Sequence, residues 1–182
     1  MIIGLCGYIG SGKSKLSEYI ANNDTKIAHI GFADPLYDML YTMGLKDVYN
    51  KEKWDDHQEL LGGKTIRYAC QTLGTEWGRT HFGDDIWSNI AVKKALASEK
   101  LTIIDNVRYL SEFDAIIGNG GIVISFNANN NRVPDLSHSS EREIQQVKPF
   151  CAYSFTNDFT RPIEYNAVEL HKMILAIAGN RN

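Results

Sequence analysis

The stretch Met1-Ile2-Ile3-Gly4-Leu5-Cys6-Gly7-Tyr8-Ile9-Gly10-Ser11-Gly12-Lys13-Ser14 decides the fold. Its first six residues form an apolar run the length of a buried strand, and the chain from Lys15 onward has a helical pattern. Between them Gly7 to Ser14 reads G-x-x-x-x-G-K-S, in the strand, loop, helix setting that a phosphate-binding loop requires. The glycines let the backbone turn tightly enough for successive N–H groups to face a phosphate, and the following helix points its positive end at the same place. Gly10, Ser11, Gly12, Lys13 and Ser14 are the expected ATP-binding set, with Lys13 reaching the β and γ phosphates and Ser14 on Mg²⁺. The alternative, a glycine-rich turn with an incidental lysine, leaves the agreement of every fixed position with both flanks unexplained.

A chain of 182 residues with 43% hydrophobic content fills one core and is short for two, so one domain over 1–182 is expected. The 19 basic and 22 acidic residues leave a net charge of −3, which gives no general attraction to nucleic acid or to an anionic membrane. A phosphate site must therefore be local. Cys6, Cys70 and Cys151 are odd in number, far apart and without metal-ligand spacing, as expected of free thiols in a reducing cytoplasm. The apolar start lacks the basic leader of a signal peptide, and no run approaches the roughly 18 apolar residues of a membrane span.

Beyond the loop, strands and helices alternate. Strands are expected at Lys26 to Phe32, Leu101 to Asp105, Ile122 to Phe126 and Ala152 to Thr156. That pattern predicts an α/β three-layer fold with a roughly five-stranded parallel sheet and helices on both faces. Asp34 is placed to cap a helix with Pro35 at its first position, or to stand as a carboxylate near an acceptor. Lys46 to Gly63 reads as a solvated helix or a flap, with His57 on the surface. Arg67, Gln71 and Arg79 recur at multiples of four between Thr65 and Phe82, where Gly74 threatens a break. They are either solvated or an anion-contacting face. Trp87, in the first turn of a helix from Asp85 to Ser98, is core or a base-stacking ring. Asp105 ends a buried strand, where it orients Mg²⁺ or forms a turn. Arg108 and Glu112, at i and i+4, make a helix ion pair or serve a ligand at the sheet edge. The Asn-rich stretch 127–141 carries Arg132 and reads as a lid loop or a linker, with an S-x-x-E capping box at Ser140 and Glu143. A terminal amphipathic helix spans Ile163 to Ala178.

Six segments, in order over about residues 1 to 145, give a more specific likeness: GYIGSGKS at Gly7, FADPL at Phe32, Arg67 with QTLGTEWGR from Gln71 to Arg79, GDDIW at Gly83, NVRYLSE at Asn106 and HSSE at His138. With them the chain resembles the deoxynucleoside monophosphate kinases of tailed bacteriophages, in the adenylate-kinase-like P-loop nucleoside monophosphate kinase superfamily. The resemblance implies transfer of a phosphoryl group from Mg·ATP to a deoxynucleoside monophosphate, with small nucleotides as partners, a cytoplasmic setting, and room for a homodimer. It makes Arg67 a catalytic arginine and Trp87 a contact to the substrate base, and puts Arg108 and Glu112 on the substrate nucleotide. Asp34, Gln71 and Asn106 complete the expected substrate set, and Lys13, Arg67, Arg79 and Arg132 the catalytic cations. Two positions depart from the family pattern. Asn106 stands where the family has Asp before Val-Arg, with Asp105 one place earlier, and Arg132 is the candidate for a lid arginine that the family carries after its fourth strand.

Overall fold

The computed structural model describes residues 1–129 and 139–180, which fall into two compact units, Met1–Gly31 with Val92–Asn182, and Phe32–Ala91. The larger unit is built on a five-stranded parallel sheet of β1 (Ile2–Cys6), β2 (Ile27–Ile30), β5 (Leu101–Val107), β6 (Ile122–Ala128) and β7 (Tyr153–Asn157). The sheet runs in the order β2-β5-β1-β6-β7, so the strand leading into the phosphate loop lies at its centre. All five residues of β1 are buried, as a central strand covered on both faces demands.

The period-two alternation of β1 assigns its two faces. Ile3 and Leu5 point into the main core, where Leu16 and Ile20 of α1 (Lys13–Asn23) meet Leu170, Ile174 and Ile177 of α8 (Ile163–Gly179). Gly4 points to the other face. A Cβ there would collide with Ile116 of α6 (Leu110–Gly118), so a glycine lets that helix sit close. Helix α7 (Ser139–Val147) packs beside α6 and completes three layers. The expected alternation and strand number therefore hold, with helices displaced by one or two residues from the boundaries read in the sequence.

The smaller unit has its own core of Leu40, Leu45, Val48 and Ile66, with Tyr37, Trp54 and Leu73 against it. Its helices are α2 (Asp34–Thr42), α3 (Ile66–Gln71) and α4 (Thr80–Phe82), and its chain ends in the first turns of α5 (Ile86–Leu96). Residues 46–63, expected as one solvated helix or a flap, are instead three short 3-10 turns and the outer strand of a hairpin. That hairpin pairs β3 (His57–Gln58) with β4 (Lys64–Thr65). The turn is made by Gly62 and Gly63, at φ 60° and 79°, and the Trp54 indole anchors the segment by donating to the Val48 carbonyl at 2.7 Å. His57 is on the surface, with its Nδ1 2.6 Å from the Gly63 carbonyl.

A second departure lies between α3 and α4. Residues Thr72–Arg79 are a π-helix, so Gly74 does not break the rod. Gly74 and Gly78 are both buried, and a Cβ on Gly78 would collide with the Trp87 ring. Trp87 Nε1 donates to the Gly74 carbonyl at 2.8 Å and Thr80 Oγ1 to the Thr75 carbonyl at 3.1 Å, so side chains supplement the wider turns.

Candidate active site

The phosphate loop has the geometry its sequence requires. Gly10 and Gly12 hold φ values of 80° and 90°, in the left-handed region that side chains avoid. Gly7 has the Phe126 carbonyl where a Cβ would stand. Lys13 is 8% exposed and turned back over the loop, its Nζ donating to the carbonyls of Gly7 (2.6 Å) and Tyr8 (2.8 Å) and to Ser11 Oγ (3.1 Å). The ammonium is thus held over the loop's hollow by groups that a phosphate oxygen would replace or join.

Asn157, the last residue of β7, braces the loop from outside. Its buried amide donates to the Ser11 carbonyl at 2.9 Å and lies against Gly12, where a Cβ would collide with it. A carbonyl so held fixes the peptide that presents the next N–H groups. The sequence held no signal for this contact, because an asparagine at a strand end is ordinarily a turn residue.

The strand-end acid belongs to the same unit. Asp105 is 5% exposed and accepts a hydrogen bond from the Ser14 hydroxyl, while His29 Nε2 lies 3.2 Å from its Oδ1. The register β2 to β5 pairs His29 with Ile103, so His29 and Asp105 fall on one face of the sheet. Burial pushes the Asp105 carboxyl up, but His29, the Ser14 hydroxyl and the charge of Lys13 outweigh it and hold the acid below the usual carboxylate range. Between Gly4 and Cys6 the register with β5 slips by one residue, because Asp105 and Asn106 together oppose Leu5. This bulge gives Asp105 the inward place and leaves Asn106 half-buried.

A buried carboxylate hydrogen-bonded to the serine of the loop is a donor pair that fits Mg²⁺, a hard cation which prefers oxygen. Among the described residues no cluster of three or more His, Cys, Asp or Glu forms a metal cage. His29 was not among the sequence candidates. Its position beside Asp105 follows only from the pairing of two strands 70 residues apart.

Glu112 has a local task. Its Oε2 accepts from the backbone N–H groups of Arg108 (2.7 Å) and Tyr109 (3.2 Å) at the start of α6, and the residue is buried. The carboxylate thus fixes the turn that carries Arg108, which is half-buried.

In the smaller unit, Arg67 is exposed and paired in bidentate fashion with Asp55, Nε to Oδ1 at 2.6 Å and Nη2 to Oδ2 at 2.9 Å, with Trp54 5.7 Å from its guanidinium carbon. Gln71, one α-helical turn on, is exposed, and Arg79 is half-buried at the end of the π-helix. Each π turn takes one residue more than an α turn, so the multiples-of-four spacing does not carry Arg79 onto the face of Arg67 and Gln71. Asp34 is the first residue of α2 and Ala33 takes the cap position, one place earlier than expected. Trp87 is 5% exposed and its N–H donates to the Gly74 carbonyl, so in this structure the ring is packed as a core residue. Arg132, and residues 130–138 of the expected lid, lie outside the described residues.

No protein-family model matches the chain, and no curated protein matches it in sequence. Among solved structures, shikimate kinase from Aquifex aeolicus vf5 is similar over 100% of this chain and 98% of that one, at 14% identity and a TM-score of 0.56. Shikimate kinase from Bacteroides thetaiotaomicron is similar over 96% of this chain and 98% of its own, at 16% identity and a TM-score of 0.52. At these identities the likeness is one of fold: the three-layer α/β architecture is the one those two kinases have.

Proposed function

We propose that this chain is an ATP-dependent phosphotransferase that moves the γ-phosphoryl group of Mg·ATP to a deoxynucleoside 5′-monophosphate. The observation that carries the phosphotransfer is the constellation of Lys13 turned over the loop, with Ser14 hydrogen-bonded to buried Asp105. The choice of acceptor is supported by the ordered segments from Gly7 to Glu141 and by the chemistry they supply. A phosphate acceptor is already largely ionised near neutral pH, its second pKa being about 6, so it needs no strong base. It needs cations that hold two repelling anions together, and arginine presents a fork that fits them.

In this reading the N–H groups of Gly10, Ser11 and Gly12 hold the β-phosphate of ATP, and Lys13 spans the β and γ phosphates. Ser14 and Asp105 would hold Mg²⁺, which neutralises charge between the two phosphoryl groups. His29 keeps Asp105 ionised and in place. Arg67, Arg79 and Arg132 are the cations assigned to the transferred group, Arg108 and Gln71 to the acceptor phosphate or sugar, and Asn106 to a substrate hydrogen bond. Glu112 positions Arg108. Arg67 must exchange Asp55 for its phosphate, which an exposed ion pair permits at small cost.

The second reading draws on the names of the similar folds, both shikimate kinases. The acceptor is then a hydroxyl group, a base becomes useful, and Asp34 is the candidate. A substrate panel separates the two. The purified chain is incubated with Mg·ATP and, in turn, the deoxynucleoside monophosphates including 5-substituted pyrimidines, the ribonucleotides, deoxynucleosides, shikimate and dephospho-coenzyme A. Fast ADP release with deoxynucleoside monophosphates, only mildly slowed by Asp34→Asn, supports the proposal. Turnover with an alcohol alone, abolished by Asp34→Asn, overturns it in favour of the second reading. ATP binding without turnover on any acceptor leaves a nucleotide-binding module.

A further inference from the structure

The face of the sheet that carries α6 holds a group of side chains with no part in phosphotransfer. Cys6, the last residue of β1, is fully buried, and its thiol is hydrogen-bonded to that of Cys151. Cys151 lies just past a 3-10 turn, Lys148–Phe150, and is half-buried, with its Sγ 3.7 Å from the Val147 carbonyl. Lys148 stands beside both sulfurs. Its half-buried Nζ donates to Asn127 Oδ1 at 2.6 Å and lies 4.9 Å from the centre of the Tyr8 ring.

The two thiols are unequal in reach and in acidity. The Cys6 S–H bond and the Lys148 charge hold Cys151 below the usual thiol range against the opposing effect of burial. Cys6 is pushed far up by its bond to Cys151, by burial and by the charge on its neighbour. Cys151 alone is both reachable from solvent and inclined to ionise, which are the two conditions for a reactive cysteine.

We propose that Cys6 and Cys151 form a dithiol site that low-molecular-weight disulfides oxidise, with Cys151 as the attacking thiol and Cys6 as the resolving one. The Cys151 thiolate attacks one sulfur of RS–SR, a Cys151–SR bond forms, and RS⁻ leaves. Capping removes the negative charge on Cys151 and with it two of the influences that kept Cys6 protonated, the bond to that sulfur and its charge. Cys6 passes its proton to RS⁻, which departs as RSH. Its thiolate then attacks the Cys151 sulfur, forming the Cys6–Cys151 disulfide and expelling a second thiolate, protonated as RSH. The protein loses two protons and two electrons, and one RS–SR becomes two RSH.

The test uses the reduced full chain, oxidised glutathione near neutral pH, and mass measurement of intact protein and peptides. The expected product has lost two hydrogens and yields a linked peptide pair containing Cys6 and Cys151. Cys151→Ser yields no link, Cys70→Ser yields the same link as the unaltered chain, and Lys148→Met slows the first step about 10-fold. A stable glutathione adduct on Cys151 with Cys6 still free, a link through Cys70, or no reaction overturns the proposal. An unchanged rate in Lys148→Met overturns the part given to the lysine.

Discussion

The phosphate loop of the larger unit and the arginine-bearing helix of the smaller one hold their charged groups by different means. Lys13 is held by backbone carbonyls of a loop whose own shape is enforced by positive φ at Gly10 and Gly12 and by the Asn157 amide. Arg67 is held by one exposed carboxylate, on a rod that turns from α to π within a few residues. The first arrangement is stiff before any ligand arrives. The second is a side chain in a replaceable partnership. Pre-organised charge is where most rate enhancement is found, whereas a group that exchanges partners serves capture and release.

Removing Lys13 is the hardest test of that contrast. Lys13→Ala should lower ADP release by about 100-fold or more while circular dichroism stays unchanged, because the loop shape rests on glycines and Asn157 rather than on the ammonium. Near-normal turnover would end the assignment of the loop. Next in size is Trp87→Ala, which removes a buried ring and should cost about 3–5 kcal/mol in a denaturant titration. Trp87→Phe should lose about 1–3 kcal/mol by leaving the Gly74 carbonyl without its donor. A stability change near zero, with KM alone affected, would favour the base-contact role over the core one.

Gly12→Ala tests the stiffness of the loop directly. A methyl at φ 90° against the Asn157 amide should cost about 1–3 kcal/mol and weaken ATP binding in calorimetry. Asn157→Ala, combined with it, should restore part of the stability by making room, and strict additivity of the pair would deny the brace. At the exposed end of the comparison, Asp55→Asn should leave the thermal midpoint unmoved while changing the salt dependence of acceptor KM, since it releases Arg67 from its partner.

The smallest expected effect is alkaline. Tyr49 donates to Asp38 at 2.6 Å, and that bond, with burial and the charge of Asp38, pushes its phenol up to about 12. A folded-state value above the unfolded one means that the bond's contribution is complete below the ordinary tyrosine range and is lost as pH rises through about 12. Tyrosinate absorbance should therefore show one late-ionising phenol that vanishes in Tyr49→Phe, with little change in stability because the pair is exposed.

How much of this was legible depended on how local the cause was. The backbone of the loop at Gly7 to Ser14 was legible, since the glycines of G-x-x-x-x-G-K-S stand where the chain takes a positive φ, at Gly10 and Gly12. The five strands followed from short apolar runs between helical patterns. Three things did not follow. The π-helix at 72–79 depends on two glycines packing under Trp87 and Leu36, a tertiary fact that α periodicity overrules in any reading by spacing. Trp87 carries no mark in sequence to distinguish a core ring from a stacking one. His29 meets Asp105, and Asn157 meets Ser11, only through strand pairing, which no motif records.

The Asn157 brace also has a consequence in time. It joins residues 146 apart, and β1 stands between β5 and β6, strands that begin about 100 residues after it. A nascent chain that has just exposed its phosphate loop lacks both neighbours of its central strand and the amide that steadies Ser11. Contacts so distant in sequence make for slow folding, because a long loop must close before any of them contributes. Until β7 is made, the glycines that later form a stiff cradle keep the conformational freedom of an unbraced chain. The residues of the loop are thus made well before they acquire their working shape.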